Sequence, residues 1–196
     1  MADYTAIKYN VPFGKAGNLK LLSTFTSDGS DDTATFASGI DSTYKEYLFI
    51  FNNIHGETDN KDLTVGFRDG STAYDATKTT TFFRAIHNEG DTDAEMGYDT
   101  GGDLAQSTDF QPVLRSIGTD NDHCGSGYMH LFNPSSTTFV KHFLVASNVV
   151  GSASNDYCRL QHFAGYCNVT AAIDGVQFKM SSGEIQAGTI QMFGVL

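Results

Sequence analysis

The chain has 196 residues, of which 40% are hydrophobic, and its aromatic residues are 15 Phe and 9 Tyr with no Trp. This length suits one domain with a sizeable core, and many aromatic residues together with 20 Gly are typical of β-sheet proteins. The formal net charge of -11 argues against nucleic acid and anionic membranes as partners, because both need clustered Lys and Arg.

Residues 1–18 are polar and irregular, and we interpret them as an extended N-terminal arm. An arm of this kind would contact a neighbouring chain, or would fold back on its own domain. The residues best suited to contact a neighbouring chain are apolar, aromatic or terminal: Met1, Tyr4, Tyr9, Pro12 and Phe13. Residues 1–10 lack the apolar core of a secretory signal.

Short segments with alternating apolar residues follow the arm at close intervals and predict β-strands. They are Leu19–Phe25, Thr33–Phe36, Tyr47–Asn53, Leu63–Arg68, Thr81–Ile86, Val113–Ile117, Gly127–Phe132, Phe139–Ala146, Arg159–Tyr166, Val176–Met180 and Gly188–Val195. Clusters of Gly, Asp, Asn, Ser and Thr separate them, and no segment has the apolar period of an amphipathic helix. Residues 19–196 are therefore predicted to form one all-β domain, an antiparallel β-sandwich.

The long acidic segment Asn88–Phe110 is predicted to be a protruding loop, where binding residues often lie. Asp91, Asp93 and Glu95 alternate there, and in an extended loop their carboxylates would converge on Ca²⁺, which takes several oxygen ligands. The spacing does not fit an EF-hand, and a solvated acidic loop is the alternative. Tyr98 in the same loop would stack on a sugar or pack against a partner.

Cysteine and histidine residues form two groups along the chain: His123, Cys124 and His130, and then Cys158, His162 and Cys167. Zinc would need three or four of these side chains around one centre. On a straight strand Cys158 and His162 lie roughly 13 Å apart, at ~3.3 Å per residue, so they cannot chelate one ion. Partly buried, structural His and reduced Cys are the favoured interpretation, although a Cys158–Cys167 bridge would be feasible across a hairpin.

Motifs for catalysis are weak. Ser42-x-x-Lys45 matches the nucleophile motif of penicillin-recognising enzymes, but that motif needs a helix and companion motifs that this chain lacks. Neither a Gly-x-Ser-x-Gly elbow nor a phosphate-binding glycine loop is present. We therefore expect a protein that is not an enzyme and needs no cofactor, apart from the calcium hypothesis above.

The final segment predicts two strands joined by a turn at Ser181-Ser182-Gly183. Val176, Phe178 and Met180 alternate with polar residues in the first strand, whereas the second becomes apolar on both faces near Phe193 and Val195. We expect the second strand to lie in the middle of a sandwich or against a neighbouring subunit.

This ending also carries a resemblance. Ile173-x-Gly175 before an apolar run, followed by Gly188-Thr189-Ile190-x-Met192-Phe193-Gly194-Val195, resembles the ending of virion proteins of tailed bacteriophages. A second match is Ile40-x-x-x-Tyr44-x-x-Tyr47 leading into Leu48–Ile54. Met192-Phe193 stands where Leu-Tyr is usual in that family, and the motifs are structural, not catalytic.

The resemblance implies a jelly-roll sandwich and a structural role in a phage virion assembled in the host cytoplasm. The first hypothesis is a capsid decoration or cement protein that stabilises the shell, is a homotrimer, and has the major capsid protein or other virion subunits as partners. The alternative is a tail-fibre or tail-tip module that recognises a glycan of the host surface through loops 88–110 and 118–127.

Overall fold

The computed structural model of the protein describes residues 18–151 and 156–196, and every regular element in these ranges is a β-strand. The strands are β1 Leu19–Thr26, β2 Ala34–Phe36, β3 Glu46–Gly56, β4 Lys61–Arg68, β5 Lys78–Asn88, β6 Ala94–Tyr98, β7 Gln111–Ile117, β8 Gly125–Phe132, β9 Lys141–Gly151, β10 Tyr157–Cys167, β11 Gly175–Met180 and β12 Ile185–Val195. No helix that could cross a membrane occurs in these ranges.

The strands form two antiparallel sheets that pack face to face. The larger sheet has the order β1-β12-β3-β8-β9-β10-β5-β6, and the smaller has the order β2-β11-β4-β7. The predicted antiparallel β-sandwich is therefore confirmed. The predicted position of the last strand is also confirmed, because β12 lies inside the larger sheet between β1 and β3.

Four pairs of strands are nested along the chain: β1 with β12, β2 with β11, β3 with β8, and β4 with β7. Each pair joins an early strand to a late one, and successive pairs alternate between the two sheets. The turn at residues 181–184 thus links strands of different sheets, not neighbours in one sheet. This order agrees with the expected jelly roll, which stays a prediction. β5, β6, β9 and β10 extend the larger sheet beyond the nested pairs.

The two segments that carry the phage resemblance lie side by side. β12 pairs with β3 in antiparallel register, and a Cβ atom on Gly194 would lie 2.5 Å from the ring of Tyr44. Gly188 has φ +112° at an irregularity of this pairing, where a Cβ atom would lie 2.7 Å from the carbonyl oxygen of Asn53. Both glycines of the motif are therefore required by close packing and backbone conformation, which is a structural role.

The prediction that Asn88–Phe110 is a protruding loop is wrong in part. Within Asn88–Phe110, residues Ala94–Tyr98 form β6, which pairs with β5. All five residues of β6 are exposed, and although Ala94, Met96 and Tyr98 alternate with Glu95 and Gly97, this short run lies in an acidic, Gly-containing segment that was predicted to be a loop. Residues 99–110 do not protrude either, because Leu104 N donates to Thr80 Oγ1 and the ring of Phe82 packs against Gly102.

Aromatic rings fill the space between the sheets. The ring of Phe178 on β11 lies 5.3 to 6.1 Å, centroid to centroid, from those of Phe36, Phe49 and Phe51. Further along the larger sheet, the rings of Phe82 and Phe163 stack at 4.2 Å. Aromatic pairs of this kind stabilise a core beyond their burial alone.

Truncating the central ring should destabilise the domain strongly. We expect Phe178→Ala to lower the free energy of unfolding by about 3–5 kcal/mol, because it leaves a cavity among three fixed rings. Phe139→Ala, at a side chain that is 70% exposed, is the matched control and should change it by less than about 0.5 kcal/mol. Urea denaturation measures both variants, and equal effects would contradict this account of the core.

Candidate functional site

The most distinctive surface is the side of the larger sheet that faces away from the smaller one. On β8, Met129 and Leu131 are fully buried between the sheets, whereas Tyr128 is 46% exposed on the opposite side. The same alternation holds on β9, where Phe143 is buried and Leu144 is 49% exposed. These strands are apolar on both faces, although only one face is covered by the smaller sheet.

We call this surface the outer face and define it by the outward positions of β5, β8, β9 and β10. None of these positions carries Asp, Glu, Lys or Arg. The side chains are Thr79, Thr81, Phe83, Ala85, His87, Ser126, Tyr128, His130, Phe132, His142, Leu144, Ala146, Asn148, Val150, Cys158, Leu160, His162, Ala164 and Tyr166.

A shallow cavity of about 440 Å³ lies at the centre of the outer face. Its walls are rings: Phe83 stacks on His162 with centroids 5.0 Å apart, and Tyr128 contacts His130 edge-on at 5.4 Å. Glu46 on β3 lies at the rim, where its carboxylate contacts Nδ1 of His130. The cavity thus offers flat apolar rings and a single carboxylate already engaged by an imidazole, which suits packing and stacking.

A second cluster lies at one end of the sandwich, where the β7–β8 connection between the two sheets meets the residue before β10. Asp120 and His123 come from the β7–β8 loop, and Asp156 precedes β10. The ligand-type atoms of these three residues lie within 4.8 Å of one another, the only such group of His, Cys, Asp or Glu in the described ranges. The imidazole of His123 is almost fully buried. Sequence reasoning missed Asp156, since 33 residues separate it from His123 and only folding brings them together.

The expected His and Cys groups are not assembled. Cys124 Sγ lies 3.9 Å from Asn53 Oδ1, away from the His123 cluster, and His130 belongs to the outer face. Cys158 and Cys167 stand at opposite ends of β10, about 30 Å apart at ~3.3 Å per residue. A bridge between them is therefore excluded, and all three cysteines are free.

The three residues of the calcium hypothesis make different contacts. Asp91 lies in the β5–β6 turn, 92% exposed, and accepts from His87 Nε2 at 3.1 Å. Glu95 lies on β6 and pairs with Arg84 at 2.8 Å. Asp93 holds the same turn through its carbonyl oxygen, which accepts from Asn88 N. The hairpin turn thus spreads these side chains, and they form no group of ligand atoms in the described part of the chain.

Tyr98 lies at the end of β6, not in a loop. Its side chain is 57% exposed, and its hydroxyl donates to a carboxylate oxygen of Asp103, which raises the pKa of the phenol. Its partner across the strand pair is Phe83, so it extends the outer face at the sheet edge. The arm residues Met1, Tyr4, Tyr9, Pro12 and Phe13 fall outside the residues that the structure describes.

No family model, curated protein or solved structure matches this chain. The outer face and the cluster of Asp120, His123 and Asp156 are therefore characterised by their geometry alone.

A buried thiol lies between two buried ammonium groups at the other end of the larger sheet. Cys167 on β10 is opposite Lys78 on β5 and Lys141 on β9. Lys78 Nζ donates to the carbonyl oxygen of Asp109 at 2.6 Å, and Lys141 Nζ donates to that of Val169 at 2.7 Å. Burial lowers the pKa of both lysines and raises the pKa of Cys167 to about 12 from 9.0.

This thiol should make the domain sensitive to alkali. Between pH 9 and 12 the unfolded chain loses the thiol proton while the folded chain keeps it, so this group's contribution to stability falls as pH rises. The slope is at most about 1.4 kcal/mol per pH unit. The two lysines act in the opposite direction below pH 10.5, because their pKa values are lowered on folding.

The effect is therefore measured as the difference in the free energy of unfolding between wild type and Cys167→Ala. We expect wild type to lose stability relative to Cys167→Ala as pH rises from 9 to 11, since both chains keep Lys78 and Lys141. Urea denaturation at several pH values gives this difference. A constant difference over that range would contradict the buried position of the thiol.

Proposed function

We propose that the protein is a non-enzymatic structural subunit of a tailed-phage virion, and that it decorates or cements the capsid shell. The observation that carries this proposal is the outer face: an extended, uncharged surface rich in aromatic and aliphatic side chains. The motifs Ile40–Tyr47 and Gly188–Val195, which resemble phage virion proteins, supply the biological setting, and their contact in the fold is consistent with a shared architecture.

The size of the outer face favours an interface between proteins. The four neighbouring strands of the outer face, at ~4.8 Å spacing and about nine residues each, cover roughly 19 by 30 Å, or about 570 Å². Soluble monomers rarely expose apolar patches larger than about 300–600 Å². A standard protein interface buries about 800 Å² on each partner. The face therefore supplies most of the area of an ordinary protein interface.

The distribution of charge favours another copy of this chain as the partner that covers the outer face. Two copies each carry a formal charge of -11, so they repel wherever their carboxylates approach. The outer face is free of carboxylates, and Glu46 at its rim is engaged by His130. Copies that meet through this face bring together the surface where repulsion is weakest. We therefore propose self-association through the outer face, with the homotrimer as the expected state.

An oligomer of this kind would stabilise a shell by mass action. A cement protein binds assembled capsid subunits better than dissociated ones, and this differential affinity shifts the equilibrium towards the shell. The partners would be the major capsid protein or other virion subunits. Surfaces outside the outer face are available for this second contact once the outer face is occupied.

The aromatic cavity gives one specific observation in favour of the alternative function. Phe83, Tyr128 and Phe132 present ring surfaces at an open cavity, and exposed rings are the usual platforms for sugar stacking. A host-recognition module of a tail fibre or tail tip would use such a cavity to bind a glycan, and Tyr98 would then contribute at the sheet edge.

A single charge on the outer face should separate the copies. We expect Leu144→Glu to convert the oligomer to monomer, because association would then bury an unpaired carboxylate. Phe139→Glu introduces the same charge at an exposed residue in the β8–β9 connection and should leave the oligomer intact. Sedimentation velocity measures the oligomeric state, and circular dichroism confirms that each variant is folded. A wild-type chain that is monomeric at all concentrations tested would contradict the proposal.

The place of the protein in the virion tests the function itself. We expect gold-labelled antibody against this chain to cover the heads of purified virions of the phage that encodes it. Label confined to the tail would overturn the decoration role and favour host recognition. In that case, binding on a glycan array that is lost in Tyr128→Ala would support the alternative.

A further inference from the structure

The cluster of Asp120, His123 and Asp156 has the geometry of a metal site. His123 Nε2 lies 3.1 Å from Asp156 Oδ2 and 3.9 Å from Asp120 Oδ2. Ligands bound at about 2.0–2.2 Å around a tetrahedral ion are separated by about 3.3–3.6 Å. The two separations from His123 Nε2 bracket this range and all three ligand atoms lie within 4.8 Å of one another, so small side-chain adjustments would place them around one ion. Asp122 Oδ1, at 4.0 Å from the same nitrogen, stands at the rim.

The backbone holds these side chains in place from both loops. His123 N donates to Asp120 O at 2.8 Å, which closes the turn that carries both residues. The carbonyl oxygen of His123 contacts His55 Nδ1 at 2.7 Å, and that of Asp156 accepts from Glu89 N at 2.8 Å. The backbone of His123 and of Asp156 is thus held by hydrogen bonds that do not involve the carboxylate–imidazole contacts.

The charges of the cluster do not balance. Three carboxylates surround one imidazole, and no Lys or Arg forms a salt bridge with any of them in the described ranges. A protonated imidazole offers one N–H at Nε2, which serves one carboxylate at hydrogen-bond distance and leaves the others without a partner. A divalent cation would take an oxygen from each and would neutralise more of the charge.

The burial of His123 is the second observation that points to a ligand. Its side chain is only 2% exposed, Nε2 is aimed into the carboxylates, and Nδ1 has no hydrogen-bond partner. A buried imidazole that is satisfied by the protein alone would normally use both nitrogens. Here its contacts lie entirely on the side where the carboxylates converge, so Nε2 is the nitrogen that would bind an ion.

We propose that His123, Asp156 and Asp120 bind one divalent transition-metal ion, with Zn²⁺ or Mn²⁺ as the best fit. A nitrogen ligand among carboxylates suits these ions, whereas Ca²⁺ prefers oxygen ligands alone. Water or Asp122 would complete the coordination. Because the ligands come from the β7–β8 loop and from the start of β10, the ion would join these two segments and stabilise this end of the sandwich. This site is separate from the outer face and does not depend on the proposed function.

The test is metal binding by the full chain, freed of any affinity tag and stripped with EDTA. We expect ZnCl₂ or MnCl₂ to bind with one ion per chain in isothermal titration calorimetry and to raise the melting temperature measured by circular dichroism. Co²⁺ as a probe should give the absorption of nitrogen and oxygen ligands without a thiolate charge-transfer band, which distinguishes this site from the free cysteines.

Two variants locate the ion. Asp156→Asn and Asp120→Asn should each weaken binding about tenfold or more while leaving the chain folded, since each removes a ligand charge at a partly exposed position. Asp91→Asn is the matched control, because Asp91 also lies 3.1 Å from a histidine nitrogen but has no second carboxylate beside it. It should bind like wild type.

Three results would overturn the proposal. The first is no change in melting temperature and no heat of binding with either Zn²⁺ or Mn²⁺. The second is binding of these ions to Asp156→Asn and Asp120→Asn as tight as to wild type. The third is binding of Ca²⁺ alone, with loss of binding in Asp91→Asn. The last result would place the ion in the β5–β6 turn instead.

Discussion

The architecture depends on the unequal size of its two sheets. Eight strands face four, so the smaller sheet covers the inner side beneath the nested pairs and leaves β5 and β10 to be covered by other segments. Residues 99–110 do this along β5, where Gly102 lies against the ring of Phe82 and Leu104 N donates to Thr80 Oγ1, and no segment within residues 18–151 and 156–196 covers the outer side of the larger sheet. Apolar residues on both sides of β8, β9 and β10 therefore find a core on one side and meet solvent on the other.

Buried polar side chains fasten the segment that completes the core. Gln111 Nε2 donates to Gly102 O at 2.8 Å, while its Oε1 accepts from Thr80 Oγ1 at 2.6 Å. Gln161 on β10 accepts from Arg115 N at 2.8 Å and donates to Arg115 O at 2.7 Å. Satisfied networks of this kind specify one register, because any shift would leave buried polar groups without partners.

The sequence predicts the strands well because alternation of apolar and polar residues is a local signal. All eleven segments read from the sequence overlap observed strands, whereas β6 is short, fully exposed and at the edge of the sheet, and was predicted to be part of a loop. The outer face was not predicted, since an exposed Leu144 and a buried Val145 look alike in the sequence. The cluster of His123 with Asp156 was missed for a different reason. These residues are 33 positions apart in the sequence, and only the folded structure brings them into contact.

The distribution of charge ties these features together. In the described ranges, the only carboxylates within strands are Glu46, Asp62 and Glu95, and all others lie in turns and connections. A sheet surface without charge is thus surrounded by negatively charged loops. Repulsion between copies is then smallest when they meet through their outer faces and larger in other orientations, so these charges would restrict how the chain assembles. A cation between Asp120 and Asp156 would lower that repulsion at one end only, which would make the two ends of the sandwich electrostatically different.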